Sequence, residues 1–214
     1  MNNIFMELKE KIEKVDFNGL VLYNENEDGR LNSAIGEGQV FDFLKQYIPE
    51  LEKAPIRYWY DCMYKGYPFN IKITSGTSAD NINSKIGLLY AMTGYTPEEI
   101  RAKGYGNIEH WINFNQALKD LTRINSCDYG FIIVFKERHN NNVSNIFLTS
   151  LKRLDRLVSN GNNLPFQANW SQNKIWTSRS EKEQMEYIKE IYIDSWMKKT
   201  SGIMPLLEWK ENDI

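Results

Sequence analysis

The sequence predicts an α/β or α+β chain with a central mixed β-sheet flanked by helices. Three observations lead there. Segments with helical apolar spacing open and close the chain. β-branched and aromatic runs fall in the middle, the first two separated by a short turn signal. Helical and extended segments interleave rather than forming two blocks.

The elements follow in order. Ile4, Leu8, Ile12 and Val15 recur at helical spacing and predict a first helix over 3–15. The polar run NENEDGRLNS (24–33) reads as a loop, with Ser33 placed to cap a helix over 34–48. Val40, Phe41, Leu44, Tyr47 and Ile48 give that helix one apolar face. Pro49 and Pro55 bracket a connection. IRYWYDCMY (56–64) is a strand by composition, KGY (65–67) a turn, and PFNIKIT (68–74) a second strand, the two pairing as a hairpin. SGTSADN (75–81) is a loop that can cap a helix over 80–92, where Ile86, Leu89, Tyr90 and Thr93 share a face. TPEEIRA starts another short helix with Pro97 in its first turn, and residues 107–124 form a longer one. YGFIIVFKE (129–137) is the most apolar segment and predicts a buried central strand. NIFLTS (145–150) is a further strand, 150–158 a short helix, and PFQANW (165–170) an extended piece. The last helix spans 180–199, and its stripe of Met185, Ile188, Ile191, Tyr192 and Trp196 reads as core.

Composition narrows the class. The chain has 214 residues, 42% hydrophobic and 25% charged, which fits one folded domain with its own core. The expected organisation is a single domain over 1–214, with a core at about 33–137 and a helical part at 138–214. No apolar run is long enough to span a membrane. The opening MNNIFMELKEKIEKV lacks the apolar stretch of a secretion signal. Cys62 and Cys127 cannot build a disulfide framework or, alone, a zinc site, so the expected compartment is the cytoplasm. The net charge of −2 is unevenly distributed: −4 over 1–60, +5 over 61–180 and −3 over 181–214. A phosphate-facing surface needs local positive charge, and the middle of the chain supplies it.

One constellation carries chemistry. Asn70 and Lys72 lie two apart in a strand and so share a face. Asp61 can meet them across the hairpin, and Glu37, early in its helix, can be aimed at the same point. Glu37, Asp61, Asn70 and Lys72 together would surround a hard cation with oxygen ligands and set an ammonium beside it. Magnesium suits such a set, since it keeps several waters and is often held by one or two carboxylates. It polarises a phosphoryl oxygen and lowers the pKa of a bound water. Each residue also has a structural explanation. Asp61 could simply end a strand, Lys72 could be a solvated strand lysine, Asn70 a hydrogen-bonding residue, and Glu37 a carboxylate placed by the helix dipole. The joint spacing favours the site. His110 and His139 have no ligand-like spacing, and Cys62 reads as a small buried residue.

At these residues the chain resembles the PD-(D/E)xK nuclease superfamily, especially type II restriction endonucleases. Y-D at 60–61, eight intervening residues, and N-I-K at 70–72 occupy the places of the family motif, and G-E at 36–37 resembles its upstream helical glutamate. N-L-P-F-Q-A-N-W (163–170) resembles a segment of their DNA-contacting half, so the likeness runs over about 33–170. Tyrosine replaces the family proline before Asp61, and Asn70 replaces the second acid, which removes a negative charge from the site.

The resemblance implies a helix, a β-meander carrying the motif, another helix and a further strand. It implies a magnesium-dependent homodimer cutting double-stranded DNA at a short, palindromic sequence. Asp61 would be the principal metal ligand, Asn70 and Glu37 secondary ligands, and Lys72 the partner of the attacking water. Ser75, Thr77, Ser78, Asn81 and Lys85 after the second strand, and the amides Asn163, Gln167 and Asn169, are the expected DNA contacts, with Lys152, Arg153 and Arg156 as phosphate partners. A capped helix, a solvated face and an ordinary amide-rich loop would explain these same residues. Two other functions stay open: a nuclease-fold protein that binds DNA without cutting it, and a structure-specific nuclease of DNA repair or recombination.

Overall fold

The computed structural model describes residues 3–22, 29–56, 58–82, 84–137, 139 and 141–201, with only the backbone for 29–34. In chain order the elements are α1 (Asn3–Glu13), α2 (Gly29–Tyr47), β1 (Leu51–Lys53), β2 (Cys62–Tyr64), β3 (Tyr67–Thr74), β4 (Asp80–Asn81), α3 (Lys85–Thr93), α4 (Pro97–Ala102), α5 (Trp111–Leu121), β5 (Gly130–Lys136), β6 (Val143–Ser150), β7 (Gln167–Ala168) and α6 (Glu181–Ser201). The fold is mixed α/β. A five-stranded sheet has the order β1-β2-β3-β5-β6, and β4 and β7 form a separate two-stranded ribbon.

β1, β2 and β3 form an antiparallel meander, β5 joins β3 in parallel, and β6 returns antiparallel to β5. The β2–β3 turn is the predicted tight one. Lys65 and Gly66 both have positive φ, 47° and 80°, the conformation that matches the twist of a two-residue hairpin. Gly66 adopts it without cost, and Lys65 is held there by an ion pair to Glu7 of α1 at 2.7 Å. The parallel β3–β5 pair requires a crossover, and α3, α4 and α5 make it.

Both faces of the sheet are covered, which is why β5 reads as an unbroken apolar run. Phe69 and Ile71 of β3 pack with Ile132 and Val134 of β5 under α1 and α2. Phe131, Ile133 and Phe135 face the other way, into a core built with α3, α5 and α6. The α6 stripe is core as expected: Met185, Ile188 and Tyr192 are buried, and Ile191 and Trp196 pack beside them. Cys62 is fully buried, and burial pushes its thiol pKa up.

Several sequence expectations need correction. Residues 56–64 are not one strand; only Cys62–Tyr64 pairs, and Asp61 precedes the strand rather than ending it. α2 begins at Gly29, so Ser33 lies inside the helix and does not cap it, and residues 29–33 are not loop. The rest of the expected loop, 24–28, lies outside the described residues. The helix expected from 80 begins at Lys85 under a Ser84 cap, and 80–81 pair as β4 instead. The 107–124 helix is confined to Trp111–Leu121, and the one at 150–158 is a single 3-10 turn, Leu151–Arg153. Strand β1 fills the connection between Pro49 and Pro55.

Candidate functional site

The hairpin brings Asp61 and Asn70 into direct contact. The Asp61 N–H donates to the Phe69 carbonyl at 2.9 Å, which seats the residue at the head of β2. Its Oδ2 accepts two hydrogen bonds at 2.6 Å, from Asn70 Nδ2 and from the Ile71 N–H. Burial raises the Asp61 pKa; the Ile71 N–H, the Lys72 charge and the Asn70 amide oppose that rise. A carboxylate accepts and cannot donate when ionised, so Asp61 sets the orientation of the Asn70 amide. Asn70 Oδ1 is thereby left as a buried acceptor with no partner among the described residues.

Lys72 shares the sheet face of Asn70, since their β5 partners are Ile133 and Phe131. It is half-buried and makes no direct ion pair among the described residues. Its charge acts on two carboxylates, Asp61 and Asp80. Asp80 was not singled out by sequence reasoning. It lies on β4, opposite Ala168, with Oδ2 buried and without a hydrogen-bond partner among the described residues. Burial raises its pKa, opposed by the Thr74 hydroxyl, the Lys72 charge and the nearby Trp170 indole. Only the pairing of β4 with β7, which no local pattern announces, carries Asp80 to this place.

Glu37 is half-buried on α2, and its neighbour Gly36 packs closely on Ile73, one residue from Lys72. That helix covers the face of β3 opposite Asn70 and Lys72. Among the described residues no group of three or more His, Cys, Asp and Glu side chains is placed to hold a metal. Among the described residues, Asp61 and Asp80 are carboxylates that feel the Lys72 charge.

Beside Asn70 and Lys72 opens a cleft of about 400 Å³. Its walls include Tyr58, Trp59, the start of α3 at Ser84, Lys85 and Ile86, and Arg101 of α4. Gly87 allows this geometry, because a Cβ there would lie 2.5 Å from Ser84 Oγ and 2.6 Å from Tyr129. The Tyr129 hydroxyl donates to the Trp59 carbonyl at 2.7 Å, tying the aromatic wall to the core.

The expected DNA contacts divide. Ser75, Thr77 and Ser78 are exposed in the loop after β3, with Ser75 Oγ 3.1 Å from Thr77 Oγ1. Lys85 lies on the cleft wall, where its ammonium donates to the Glu109 carbonyl at 2.6 Å and sits 4.2 Å over the Trp111 ring. Its surroundings lower its pKa, chiefly by burial. The amides hold the fold together: Gln167 donates to Asn81 Oδ1 at 2.6 Å and accepts from Asn160 at 2.8 Å. Asn169 caps a 3-10 turn through the Ser171 N–H, and the Asn163 N–H donates to Asn160. The basic residues also have structural partners, Arg156 among them through Asp155 at 3.7 Å. Lys152 pairs with Glu181 at 2.8 Å, and the Arg153 guanidinium lies 4.0 Å over Phe5 and 4.8 Å over Trp176. Arg156 is exposed.

No protein-family model, curated protein or solved structure matches the chain. Function therefore has to be argued from the site.

Proposed function

We propose that the protein is a magnesium-dependent nuclease that hydrolyses DNA phosphodiester bonds, of the kind represented by type II restriction endonucleases. One observation carries this reading: Asp61 at the head of β2 is bonded to Asn70 and the Ile71 N–H on β3, two residues or fewer from Lys72 on the cleft wall. The strand order supports it. A helix, an antiparallel meander bearing these residues, a helical crossover and a parallel strand follow one another as that family's core does.

The donor set fits a sparse magnesium site. Asp61 supplies one carboxylate, and Asn70 Oδ1, buried and without a partner among the described residues, supplies a neutral oxygen. Glu37 lies on the helix over the opposite face of β3, so the set proposed here rests on Asp61 and Asn70. When bound, magnesium would polarise the phosphoryl oxygen and lower the pKa of a coordinated water. The chain's own contribution is positional. Asp61 is oriented by two donors on Oδ2, so its other oxygen has a defined direction. Lys72 brings a positive charge to the cleft, where it would orient the attacking water or stabilise charge on the phosphoryl group. A homodimer would present two such sites to the two strands of a palindromic sequence.

A second reading is a DNA-binding protein on the same scaffold that does not cut. The Asn70 amide favours it, because it occupies Asp61 Oδ2 and brings no charge. Digestion of long unmethylated DNA with magnesium, beside Asp61→Ala and Lys72→Ala proteins, separates the two. Discrete fragments from the wild type that both substitutions abolish support the nuclease. Intact DNA across several substrates, with manganese also tried, leaves the binding protein.

A further inference from the structure

The cleft beside Lys72 has a wall that the cleavage chemistry leaves unused. Tyr58 is 41% exposed, and Trp59 beside it is half-buried, so both offer ring surface to a ligand. They are held from behind. Tyr60 meets both rings edge-on at 4.8 and 4.9 Å, and Trp59 also packs against Tyr90 at 5.2 Å and Tyr129 at 5.8 Å. An aromatic wall fixed in this way loses little freedom when a ligand stacks on it. Trp59 Nε1 is in addition a buried donor with no acceptor among the described residues.

The cleft also holds groups that suit an anion. Lys72 projects from β3, and α3 opens onto the same space. Ser84 Oγ accepts the Gly87 N–H at 3.1 Å, whereas the amides of Lys85 and Ile86, in the first turn, have no acceptor within the helix. A helix start of this kind favours a phosphate; Arg101, also on the lining, is paired with Glu98 at 4.0 Å. Glu98 and Glu109 bring negative charge to the same lining, which disfavours a polyanion filling the whole cleft.

We infer that the cleft takes one unpaired nucleotide, with its phosphate toward Lys72 and the start of α3 and its base against Tyr58 and Trp59. The inference rests on the nucleic-acid reading above and narrows it to a substrate class. Size supports it: about 400 Å³ lies at the small end of the range for ligand pockets, roughly 300–1,000 Å³. A duplex, whose major groove alone is about 12 Å wide, could meet only the rim. The nucleotide would come from a single strand or bulge, or be extruded from a paired duplex at a few kcal/mol per base.

The test is binding without cleavage. The full chain, in EDTA, is titrated with a single strand, a perfectly paired duplex, and a duplex carrying a one-nucleotide bulge. Wild type, Tyr58→Ala and Tyr58→Phe are compared after thermal melting shows each to be folded. Tyr58→Ala is expected to weaken binding about five- to hundredfold, the range for loss of one base–aromatic stack, and Tyr58→Phe to retain it. A loss seen with the single strand and the bulge, both preferred to the duplex, identifies an already unpaired nucleotide. A loss seen equally with the paired duplex identifies extrusion. DNA bound equally well by Tyr58→Ala in every form overturns the inference and leaves the nuclease reading to the digestion above. Absence of binding to any form overturns both. A Tyr58-dependent preference with no metal-dependent cleavage supports the inference while overturning the nuclease reading.

Discussion

Asn70 Nδ2 donates to Asp61 Oδ2 at 2.6 Å across the β2–β3 hairpin, so an amide stands where a second carboxylate would face the first. The arrangement is stable without a cation because donor meets acceptor. It also leaves a single charge on the pair.

Asn70→Asp replaces that hydrogen bond with like-charge repulsion. At neutral pH and without metal, the variant is expected to be less stable by about 1–3 kcal/mol, as for a buried group that loses its partner. Magnesium should recover it, by about 2.7 kcal/mol at a hundred times the dissociation constant. Thermal melting with and without magnesium measures both effects. A variant whose melting ignores magnesium would argue against a cation at Asp61.

Lys72→Met should leave folding intact, since Lys72 makes no direct ion pair among the described residues. Cleavage should fall by about 10²–10³, the usual cost of removing one group that stabilises developing charge. Single-turnover digestion beside far-UV circular dichroism separates the two effects. Full activity in Lys72→Met would remove this lysine from the mechanism.

Gly130→Ala tests the junction of β3 and β5. A Cβ at Gly130 would lie 2.2 Å from Phe69 Cδ1 and 2.3 Å from Cε1, and Phe69 is fully buried. Overpacking of this kind costs about 1–3 kcal/mol or more. Because the Phe69 carbonyl accepts the Asp61 N–H, cleavage should decline together with the urea midpoint.

Asp128 provides a pH test away from the cleft. Its carboxylate is buried and accepts from the Tyr129 N–H at 2.8 Å and the Lys152 N–H at 3.1 Å. Burial raises its pKa above the usual 3.8, opposed by the Ser150 hydroxyl, the charges of Lys152 and Arg153, and the Tyr129 N–H. A raised folded pKa means the folded state takes up the proton first as pH falls. The associated stability is complete below 3.8 and is lost as pH rises through the folded pKa. Stability of the wild type relative to Asp128→Asn should therefore increase as pH is lowered from neutral. Melting temperatures of both proteins across that range check the sign.

Gln167→Ala tests whether the amide cluster is structural. It should lower stability by about 1–3 kcal/mol, since Asn81 and Asn160 both lose a partner. Affinity for DNA and its salt slope should stay unchanged in the folded variant. A selective loss for particular base sequences would instead make Gln167 a base reader.

The β2–β3 hairpin was legible because turn chemistry and strand alternation agreed over 65–74. The parity of Asn70 and Lys72 followed from the strand alone. What escaped local pattern depended on distant partners. Tyr58, Trp59 and Tyr60 look like strand residues, yet their rings cluster with Tyr90 and Tyr129 instead of alternating across a sheet. The strand Leu51–Lys53 is too short to show a period. Asp80 becomes a neighbour of Lys72 only through the β4–β7 pairing. The amides at 81, 163, 167 and 169 have the same chemistry whether they bond to bases or to one another, so sequence alone could not assign their partners.

The parallel pairing of β3 with β5 also orders how the site comes together. Asp61 and Asn70 are 9 positions apart, and a tight turn is enough to join them. Phe69 and Gly130 meet only after a crossover of about sixty residues has closed, at a larger entropic cost. The Asp61–Asn70 pair thus belongs to the local, fast-forming part of the chain, whereas the cleft wall at Ser84 and Tyr129 belongs to the slow, long-range part. A chain emerging during synthesis would hold the Asp61–Asn70 pair before it held the cleft beside it, and acquire that cleft only when β5 had docked.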